Sequence, residues 1–216
     1  MIRILCYGDS NTWGYNADIA GRFDEDTRWT ARLQKMLGEG YQIVEAGLNG
    51  RTTSFDDFYR DFENGRKGLC YNLLQSKPID LLIISLGGND LKFSNAFGSS
   101  KGLFSLLQTA VFPGAFNVES PNGKIYKDGP KVLVVSPIHL HPDVDNKMSN
   151  ELFYGKYEES RRLAGFYKPV CDKFGAYFMD ASLVTGPGEK DGVHLDAEGH
   201  KKMADAIYAK VREILG

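Results

Sequence analysis

The sequence predicts an α/β fold built on a parallel β-sheet. Along its 216 residues, apolar strand-like runs alternate with segments of helical spacing five times, without an internal repeat, a low-complexity segment or a linker. The strand-like runs are apolar almost throughout, which is typical of strands that a parallel sheet buries on both faces. We therefore expect a single domain over residues 1–216.

Five segments are predicted as strands, and the first begins at Ile2 and ends before Gly8. The run DLLIISL at 80–86 is the strongest strand signal in the chain. The predicted strands span residues 2–7, 41–46, 80–86, 131–136 and 176–179. Five parallel strands commonly adopt the order 2-1-3-4-5 of flavodoxin-like folds, which is the order we expect here.

Helices are predicted between the strands from apolar residues spaced three and four apart. The predicted segments are 30–37, the end of a helix at 69–74, 101–111, 157–174 and 197–215. His200, on the last helix, is expected to be exposed. The segment 112–130 is predicted as a loop because it is rich in Gly and Pro, and a connection of this length usually has a function or contacts a neighbour.

Composition and charge exclude several classes of partner. The chain has 26 basic and 28 acidic residues without a long run of either sign, so it offers no electrostatic footprint for nucleic acid or an anionic membrane. Its three cysteines form no CxxC motif, and neither a metal nor a redox cofactor is predicted. No signal sequence or membrane-length apolar run is present, so the cytoplasm is the expected location and a small molecule the expected partner.

Reactive side chains follow the predicted strands at their carboxyl ends. Ser10 follows the first strand, the turn at 47–50 follows the second, Asn89 follows the third, and Asp191 and His194 come after the fifth. The carboxyl ends of parallel strands meet at one edge of the sheet. A hydroxyl, N–H donors for an oxyanion, and a histidine with an acid to orient it are the components of acyl-transfer chemistry. Their convergence predicts a serine hydrolase site.

Each of these residues has an ordinary structural explanation when it is considered alone. Asn89 and Asp191 are residue types that cap helices, His194 could be a surface or core histidine, and Ser10 could belong to a simple turn. The three-residue spacing of Asp191 and His194 lets both face one site from a single loop, which a capping role does not require. The combination therefore favours catalysis.

Other polar motifs are not assigned to the chemistry. The G-x-S-x-G pattern at 98–102 is interpreted as a chance match, because no strand directly precedes it. Asp9 and Asp90 are expected to brace their turns through hydrogen bonds. His139 and His141 are interpreted as part of a solvated loop near the mouth of the site, without a closing set of metal ligands.

The motifs that carry this argument resemble, in chain order, the four blocks of the GDSL/SGNH hydrolases. These motifs are Gly8-Asp9-Ser10, Gly50 in the turn after the second strand, Gly87-Gly88-Asn89-Asp90 and Asp191-Gly192-Val193-His194. The segments ILCYGDSNTWGY, RWTARL, EAGLNGRTT, KVLVVSP and DGVHL resemble more narrowly the bacterial arylesterase and acyltransferase branch. The resemblance covers nearly the whole chain. Asn11 stands where the family usually has Leu.

The resemblance implies a three-layer α/β/α fold and hydrolysis of small acyl esters without a metal. Ser10 would attack the ester carbonyl, His194 would take and return the proton, and Asp191 would hold the imidazole. The oxyanion would be bound by the backbone N–H groups of Ser10 and Gly50 and by the side-chain amide of Asn89. Gly47 is the competing choice for the glycine donor, and Gly50 is preferred because Arg-Thr-Thr follows it as in the family block.

The residues around the site are assigned from their position in the sequence. Trp13, Tyr15 and Phe93 lie close in sequence to the proposed nucleophile and to the third block, so they are candidates to line the substrate pocket, with core packing as the alternative. The aromatic segment 54–68 and the loop 112–130 are candidates for subunit contacts in a homo-oligomer, because such segments support oligomers in the similar arylesterases. The alternative is that both are ordinary surface segments.

The predicted function is a serine esterase acting on short-chain aryl or carbohydrate acetates through an acyl-Ser10 intermediate. Shielding of the site by neighbouring subunits would allow acyl transfer to alcohols. The competing hypothesis is a protein without catalytic activity that binds a small anion or small ligand on a flavodoxin-like scaffold. Such a binder has no need of the Asp191 and His194 pair at this spacing.

Overall fold

The structure is a computed structural model that describes residues 1–58, 60–116, 123–148 and 150–216. The strands within these ranges, β1 to β7, are Ile2–Gly8, Tyr15–Asn16, Gly21–Arg22, Tyr41–Gly47, Leu81–Ser85, Val132–Ser136 and Tyr177–Asp180. The α-helices within them, α1 to α7, are Ser10–Trp13, Trp29–Leu37, Gly65–Ser76, Ala96–Val111, Asn150–Phe153, Tyr157–Phe174 and Ala197–Leu215. Short 3₁₀ helices span Asp61–Glu63, Asn89–Lys92, Pro113–Phe116, Val144–Asn146 and Ala181–Leu183.

Five of the strands form a parallel sheet in the order β4-β1-β5-β6-β7, and β2 and β3 form a separate antiparallel hairpin. Counted along the chain, the sheet order is 2-1-3-4-5, so the predicted flavodoxin-like order is confirmed. Gly8, near the end of β1, lies level with Gly47 on one side and with Ser85 on the other. The carboxyl ends of the three adjacent strands therefore meet at one edge.

Helices cover both faces of the sheet, which confirms the expected three layers. Side chains of β1 and β5 alternate between two hydrophobic clusters, because successive residues of a strand point to opposite faces. The first cluster joins Leu5, Tyr7, Leu82 and Ile84 to α3, α4 and α6. The second joins Ile4, Cys6, Leu81 and Ile83 to α2 and α7. No helix in the described residues is long and apolar enough to cross a membrane.

Helix α4 begins earlier than the sequence predicts, and the predicted end of a helix at 69–74 belongs to α3, which spans Gly65–Ser76. Helix α3 starts at Gly65, where the side chain of Asn64 accepts a hydrogen bond from the backbone N–H of Lys67. Helix α4 starts at Ala96, where the Asn95 side chain accepts from Gly98 N–H. The first turns of both helices contain glycine and polar residues, so the spacing of apolar residues does not reveal these turns. The capping residues are both asparagine, a type that commonly begins a helix.

The loop predicted over 112–130 is only partly a loop. Residues 117–122 lie outside the described residues, and the part that precedes them forms the 3₁₀ helix Pro113–Phe116. Beyond them, Ile125 and Tyr126 are buried, and the backbone N–H of Ile79 donates to the carbonyl of Ile125 at 2.8 Å. The end of this segment is therefore part of the first hydrophobic cluster.

His200 was expected to be exposed, and this prediction is wrong, because its side chain is 0% exposed. Its Nδ1 accepts a long 3.4 Å hydrogen bond from the backbone N–H of Trp29, and its ring packs edge-on against Phe23 with 5.3 Å between centroids. Its Nε2 has no hydrogen-bond partner within the described residues. Burial lowers the pKa of His200 to about 4, with Asp196 opposing the shift, so the ring is buried as neutral imidazole.

His200 should make the protein less stable in acid. Its pKa is about 4 when folded, against the ordinary value of 6.5, so the unfolded state binds the additional proton and stability falls as the pH drops between these values. His200→Gln removes this group. We expect the decrease in the free energy of unfolding from pH 6.5 to pH 4 to be about 3 kcal/mol smaller in this variant than in wild type. Urea unfolding at a series of pH values measures this slope.

Met203→Ala is the matched control for this experiment. Met203 lies on the buried face of the same helix and does not titrate, so its removal should lower stability by a similar amount at every pH. A His200→Gln curve that runs parallel to wild type would contradict the assignment.

Candidate active site

Ser10 lies at the carboxyl edge of the sheet because a very short helix follows β1 directly. Asp9 caps this helix by accepting a hydrogen bond from Asn11 N–H, and Gly14 ends it with a φ of 88°. The turn is tight, since a Cβ on Gly8 would lie 2.0 Å from Thr12 Oγ1 and 2.9 Å from the carbonyl oxygen of Ser85. Glycine is therefore required before the Asp-Ser pair, and Ser10 is held close to the neighbouring strands.

Ser10, His194 and Asp191 form one chain of hydrogen bonds. His194 Nε2 lies 2.8 Å from Ser10 Oγ, and His194 Nδ1 lies 2.5 Å from Asp191 Oδ2. The other carboxylate oxygen, Oδ1, accepts the backbone N–H groups of Val193 and His194, both at 3.0 Å. With Nδ1–H donated to the carboxylate, Nε2 is free to accept the hydroxyl proton of Ser10.

The environment of Asp191 favours its ionised form. Burial raises the pKa of this carboxyl, but its hydrogen bond to His194, the charge of that ring, and the two backbone N–H donors together outweigh burial and leave the pKa below its ordinary value. Tyr15 packs against His194, with 4.5 Å between the centroids of the two rings. The imidazole is therefore held by a carboxylate on its edge and an aromatic ring on its face.

Asn89 and Gly50 approach the same edge from the neighbouring strands. Asn89 begins a 3₁₀ helix after β5, and it lines a cavity together with Ser10. One of its amide hydrogens is donated to the carbonyl of Arg51 at 3.2 Å, which leaves a second hydrogen available. Gly50 has a φ of 81°, and a Cβ there would lie within 2.5 Å of the Glu63 carboxylate. Gly50 is therefore fixed both by its backbone angle and by the side chain beneath it.

Gly47, the competing candidate for an oxyanion donor, has a different position. It is the last residue of β4, and a Cβ there would lie 2.2 Å from the backbone nitrogen of Trp13. A glycine at this point allows α1 to pack against β4. The residue is thus explained by packing alone.

Asp90 lies directly beneath the site and is fully buried. Its carboxylate accepts hydrogen bonds from the backbone N–H and hydroxyl of Thr53, both at 2.7 Å, and from Ser99 Oγ at 2.6 Å. Ser99 Oγ also lies 2.6 Å from the hydroxyl of Tyr167. Burial raises the pKa of Asp90 to about 6 although these hydrogen bonds oppose it, and burial likewise raises that of Asp9 to about 6. Both aspartates brace turns, as expected.

The second serine motif is not placed for chemistry. Ser100, the serine of G-x-S-x-G, lies inside α4, is buried, and donates its hydroxyl to the carbonyl of Phe97 at 2.7 Å. The nucleophile elbow that this motif forms in other folds needs a strand before the serine, and here the serine lies one turn into a helix. The interpretation as a chance match is consistent with this position.

Asn11 contacts the histidine loop, which sequence reasoning missed. Its side-chain Oδ1 accepts the backbone N–H of Leu195 at 2.8 Å, directly after His194. It therefore joins the helix that carries Ser10 to the loop that carries the histidine. The signal in the sequence was a polar residue at a position where the family usually has leucine.

Two cavities flank the catalytic candidates. The smaller, of about 40 Å³, has Ser10 and Asn89 in its wall, and its apolar lining includes Ile138, Phe153 and Val193. None of these three apolar residues was predicted. The larger, of about 230 Å³, lies between the β2–β3 hairpin and the loop that carries the histidine. Its lining residues include Asn16, Asp18, Phe23, Lys190 and His194.

Of the three aromatic residues predicted to line the substrate pocket, Tyr15 contacts His194, and the other two have different neighbours. Trp13 lies beneath the guanidinium of Arg22, which is 5.2 Å from its ring centroid. Phe93 packs edge-on against Phe58, with 6.2 Å between centroids.

Of the two histidines after β6, His141 helps to hold the loop that carries His194. The backbone N–H of His141 donates to the carbonyl of Gly192 at 2.8 Å, and its Nε2 lies 3.3 Å from the Glu189 carboxylate. His139 is half-buried, and burial lowers its pKa, with the charge of Asp180 opposing the shift. Among the residues that the structure describes, no group of three or more His, Cys, Asp or Glu side chains is arranged to hold a metal ion.

Several known proteins are similar to this chain in sequence or in structure. The profile of the GDSL-like lipase/acylhydrolase family matches residues 6–202. An acetylxylan esterase from Xylanibacter ruminicola is 26% identical over an alignment of 225 positions, which includes 98% of this chain and 43% of that protein. The chain thus spans less than half the length of this curated relative.

Two solved structures are similar over their full length. A carbohydrate acetylesterase family member from Sinorhizobium meliloti is 35% identical with a TM-score of 0.88, and each chain is covered completely. The native aryl esterase of M. smegmatis is 32% identical with a TM-score of 0.87, again with complete coverage of both chains.

The hydrogen bond between Asn11 and Leu195 can be tested without an activity assay. Asn11→Leu leaves the Leu195 N–H without its acceptor, and a net loss of about 1 kcal/mol should raise its amide exchange roughly fivefold. Asn11→Asp retains the acceptor oxygen and should preserve protection. Hydrogen exchange followed by NMR measures both variants, and unchanged protection in Asn11→Leu would show that the contact does not hold the loop.

Proposed function

The chain belongs to the GDSL-like lipase/acylhydrolase family, a family of carboxylic ester hydrolases, and we propose that it hydrolyses short-chain acyl esters through a covalent acyl-Ser10 intermediate. The single observation that carries this proposal is the hydrogen-bonded chain from Ser10 Oγ through His194 to Asp191 at the carboxyl edge of the sheet. The names of the similar acetylxylan, carbohydrate and aryl esterases suggest an acetyl ester of a sugar or an aromatic alcohol as the substrate.

Acylation begins when Ser10 Oγ attacks the ester carbonyl carbon while its proton passes to His194 Nε2. Asp191 stabilises the imidazolium that forms, since its ionised carboxylate lies 2.5 Å from Nδ1. The tetrahedral intermediate then collapses, the carbon–oxygen bond to the alcohol breaks, and His194 returns the proton to the leaving oxygen. Water repeats the sequence on the acyl-enzyme and releases the acid and free Ser10.

The oxyanion of each tetrahedral intermediate would be bound by Asn89 and by the backbone N–H groups of Gly50 and Ser10. Asn89 is supported by its position in the wall that it shares with Ser10 and by its second amide hydrogen. Gly50 is supported over Gly47 because it directly precedes Arg51, whose carbonyl accepts the side-chain amide of Asn89. Each such donor contributes roughly 3 to 4 kcal/mol to lowering the barrier.

The two cavities fit the two parts of an acetyl ester. The apolar cavity of about 40 Å³ beside Ser10 and Asn89 has room for only a few non-hydrogen atoms, which favours acetyl as the acyl part. His194 must protonate the leaving alcohol, and it lines the larger polar cavity of about 230 Å³. We assign the alcohol to that side, where Asn16, Asp18 and Lys190 offer hydrogen bonds to hydroxyl groups.

Subunit contacts would shield this site. Both segments that the sequence singled out present exposed aromatic residues, with Phe58 88%, Phe62 66% and Phe112 56% exposed. Phe58 also packs against Phe93, four residues after Asn89, so a neighbouring subunit that covers it would approach the site. We therefore propose a homo-oligomer, in which a drier site would favour transfer of the acyl group to alcohols in competition with water.

Ser10→Ala should lower kcat for p-nitrophenyl acetate by about a thousandfold or more, because it removes the nucleophile. Ser100→Ala is the matched control, since it removes a buried serine hydroxyl from α4 and should change kcat less than about threefold. Initial rates across a range of pH measure both variants. If Ser10→Ala and wild type share the same trace rate, the esterase proposal is wrong and the binding of a small anion becomes the better hypothesis.

The cavity beside Ser10 predicts a limit on acyl length. Wild type should cleave p-nitrophenyl acetate at least about tenfold faster, in kcat/KM, than the butyrate, and Phe153→Ala should reduce this preference by enlarging the cavity. Phe166→Ala is the control, because Phe166 packs against Phe97 between α6 and α4. Equal kcat/KM values for the two esters in wild type would show that the acyl group does not bind in this cavity.

Oligomerisation and acyl transfer should change together. We expect light scattering coupled to size exclusion to give a multiple of the 24.1 kDa chain mass, and Phe58→Ser with Phe62→Ser to lower it. The same variant should lower the ratio of transfer to hydrolysis in water containing an alcohol. A monomeric wild type, or a ratio no higher than that of an open esterase, would refute the shielded site.

A further inference from the structure

Arg51 is a buried cation beneath the candidate active site. Only 7% of the residue is exposed, and its guanidinium carbon lies 4.1 Å from the centroid of the Tyr7 ring. Its Nη1 donates to the carbonyl of Gly8 at 2.8 Å and to that of Ala46 at 2.5 Å. These carbonyls lie near the carboxyl ends of β1 and β4, so one nitrogen ties together the strands that lead to Ser10 and to Gly50.

Among the described residues Arg51 forms no ion pair, and its Nε is buried without a hydrogen-bond partner. Burial lowers the pKa of Arg51, while Tyr7 and Asp9 oppose this shift. A buried cation held by backbone carbonyls and an aromatic face, with no ion pair among the described residues, adds little net stability, so its contacts point to a role other than stability.

The backbone of Arg51 completes the set of contacts. Arg51 directly follows Gly50, its N–H donates to the carbonyl of Leu48 at 3.1 Å, and its carbonyl accepts the side-chain amide of Asn89 at 3.2 Å. The side chain therefore holds the end of β1, and the main chain holds the glycine turn and the asparagine. A single residue contacts all three elements that carry the oxyanion donors.

We infer that Arg51 is a positioning residue that sets the mutual geometry of the three oxyanion donors, Ser10 N–H, Gly50 N–H and the Asn89 amide. This inference rests on the proposed function for its catalytic consequence and on the contacts above for its structural content. Donors of this kind act only when they are held within about 0.5 Å of the position of the developing charge, so loosening their common support should weaken all three.

The catalytic consequence is tested by a double-mutant cycle. Arg51→Met retains a long apolar stem against Tyr7 and removes the guanidinium, and we expect kcat for p-nitrophenyl acetate to fall about tenfold to a hundredfold with KM changed less than about threefold. In an Asn89→Ala background the same substitution should cost less than in wild type, because one of the three groups that Arg51 positions is already absent, but kcat should still fall, because Ser10 N–H and Gly50 N–H remain to be positioned. Arg51→Lys, which can still donate to both carbonyls, should recover part of kcat.

Arg28→Met is the matched control for loss of a buried arginine. Arg28 is also 7% exposed, but it donates to the carbonyl of Phe23 and lies beside the Glu45 carboxylate. It should lower thermal stability while changing kcat less than about threefold. Equal losses of kcat in Arg28→Met and Arg51→Met, or a cost of Arg51→Met that is unchanged by Asn89→Ala, would overturn the positioning role.

A measurement that needs no activity separates this inference from the proposed function. Amide exchange at Leu48, whose N–H donates to the same Gly8 carbonyl, should rise at least about fivefold in Arg51→Met and stay unchanged in Arg28→Met. If exchange rises but Ser10→Ala is as active as wild type, the proposed function fails and the structural role of Arg51 remains. If exchange does not rise in a folded Arg51→Met protein, the inference fails whatever the activity.

Discussion

The site depends on the close approach of helix α1 to the ends of β1 and β4. Parallel strands buried on both faces leave their carboxyl edge as the place where polar groups emerge, and Gly8 and Gly47 let the helix pack against that edge without side chains in between. A methyl group on either glycine would overlap the backbone or side chain of α1. Because Ser10 is the first residue of this helix, backbone packing determines its position. The hydroxyl that His194 contacts is therefore fixed.

Polar groups beneath the edge extend this rigidity to the other strands. Asp90 draws the segment after β4 towards α4 through Thr53 and Ser99, and Arg51 joins the strand ends from below. In this layer the Asp90 carboxylate accepts hydroxyl and amide hydrogens, and Nη1 of Arg51 donates to carbonyl oxygens, without a direct ion pair between the two side chains. Such a layer fixes direction as well as distance, which is what the proposed oxyanion donors would require.

The strands could be predicted from the sequence because they follow a regular pattern, whereas their order was predicted from the arrangement that is common for five parallel strands and was then confirmed. The candidate site residues were predicted from motifs at the strand ends. Apolar runs mark the strands, and motifs at the strand ends mark Ser10, Asn89, Asp191 and His194. The start of α4 was missed because Gly98 and two serines interrupt the apolar pattern. The contact of Asn11 with Leu195 could not be read at all, since nothing local indicates which backbone group a side chain will meet across 184 positions.

His200 shows a different kind of error. It is spaced three, four and seven residues from Met203, Ala204 and Ile207, so the helical period placed it on the buried face, and residue type was wrongly allowed to outweigh position.

The separation between Ser10 and His194 also determines when the hydrogen-bonded chain can exist at all. The ribosome synthesises Ser10 and Asn11 directly after the first strand. Their partners, the imidazole of His194 and the backbone N–H of Leu195, each lie 184 residues further along the chain. Until the loop that carries His194 has been made, the chain lacks the imidazole that Ser10 contacts in the folded protein, and a serine without a base is an ordinary, unreactive alcohol. Any chemistry that needs both groups can therefore begin only after that loop has been made.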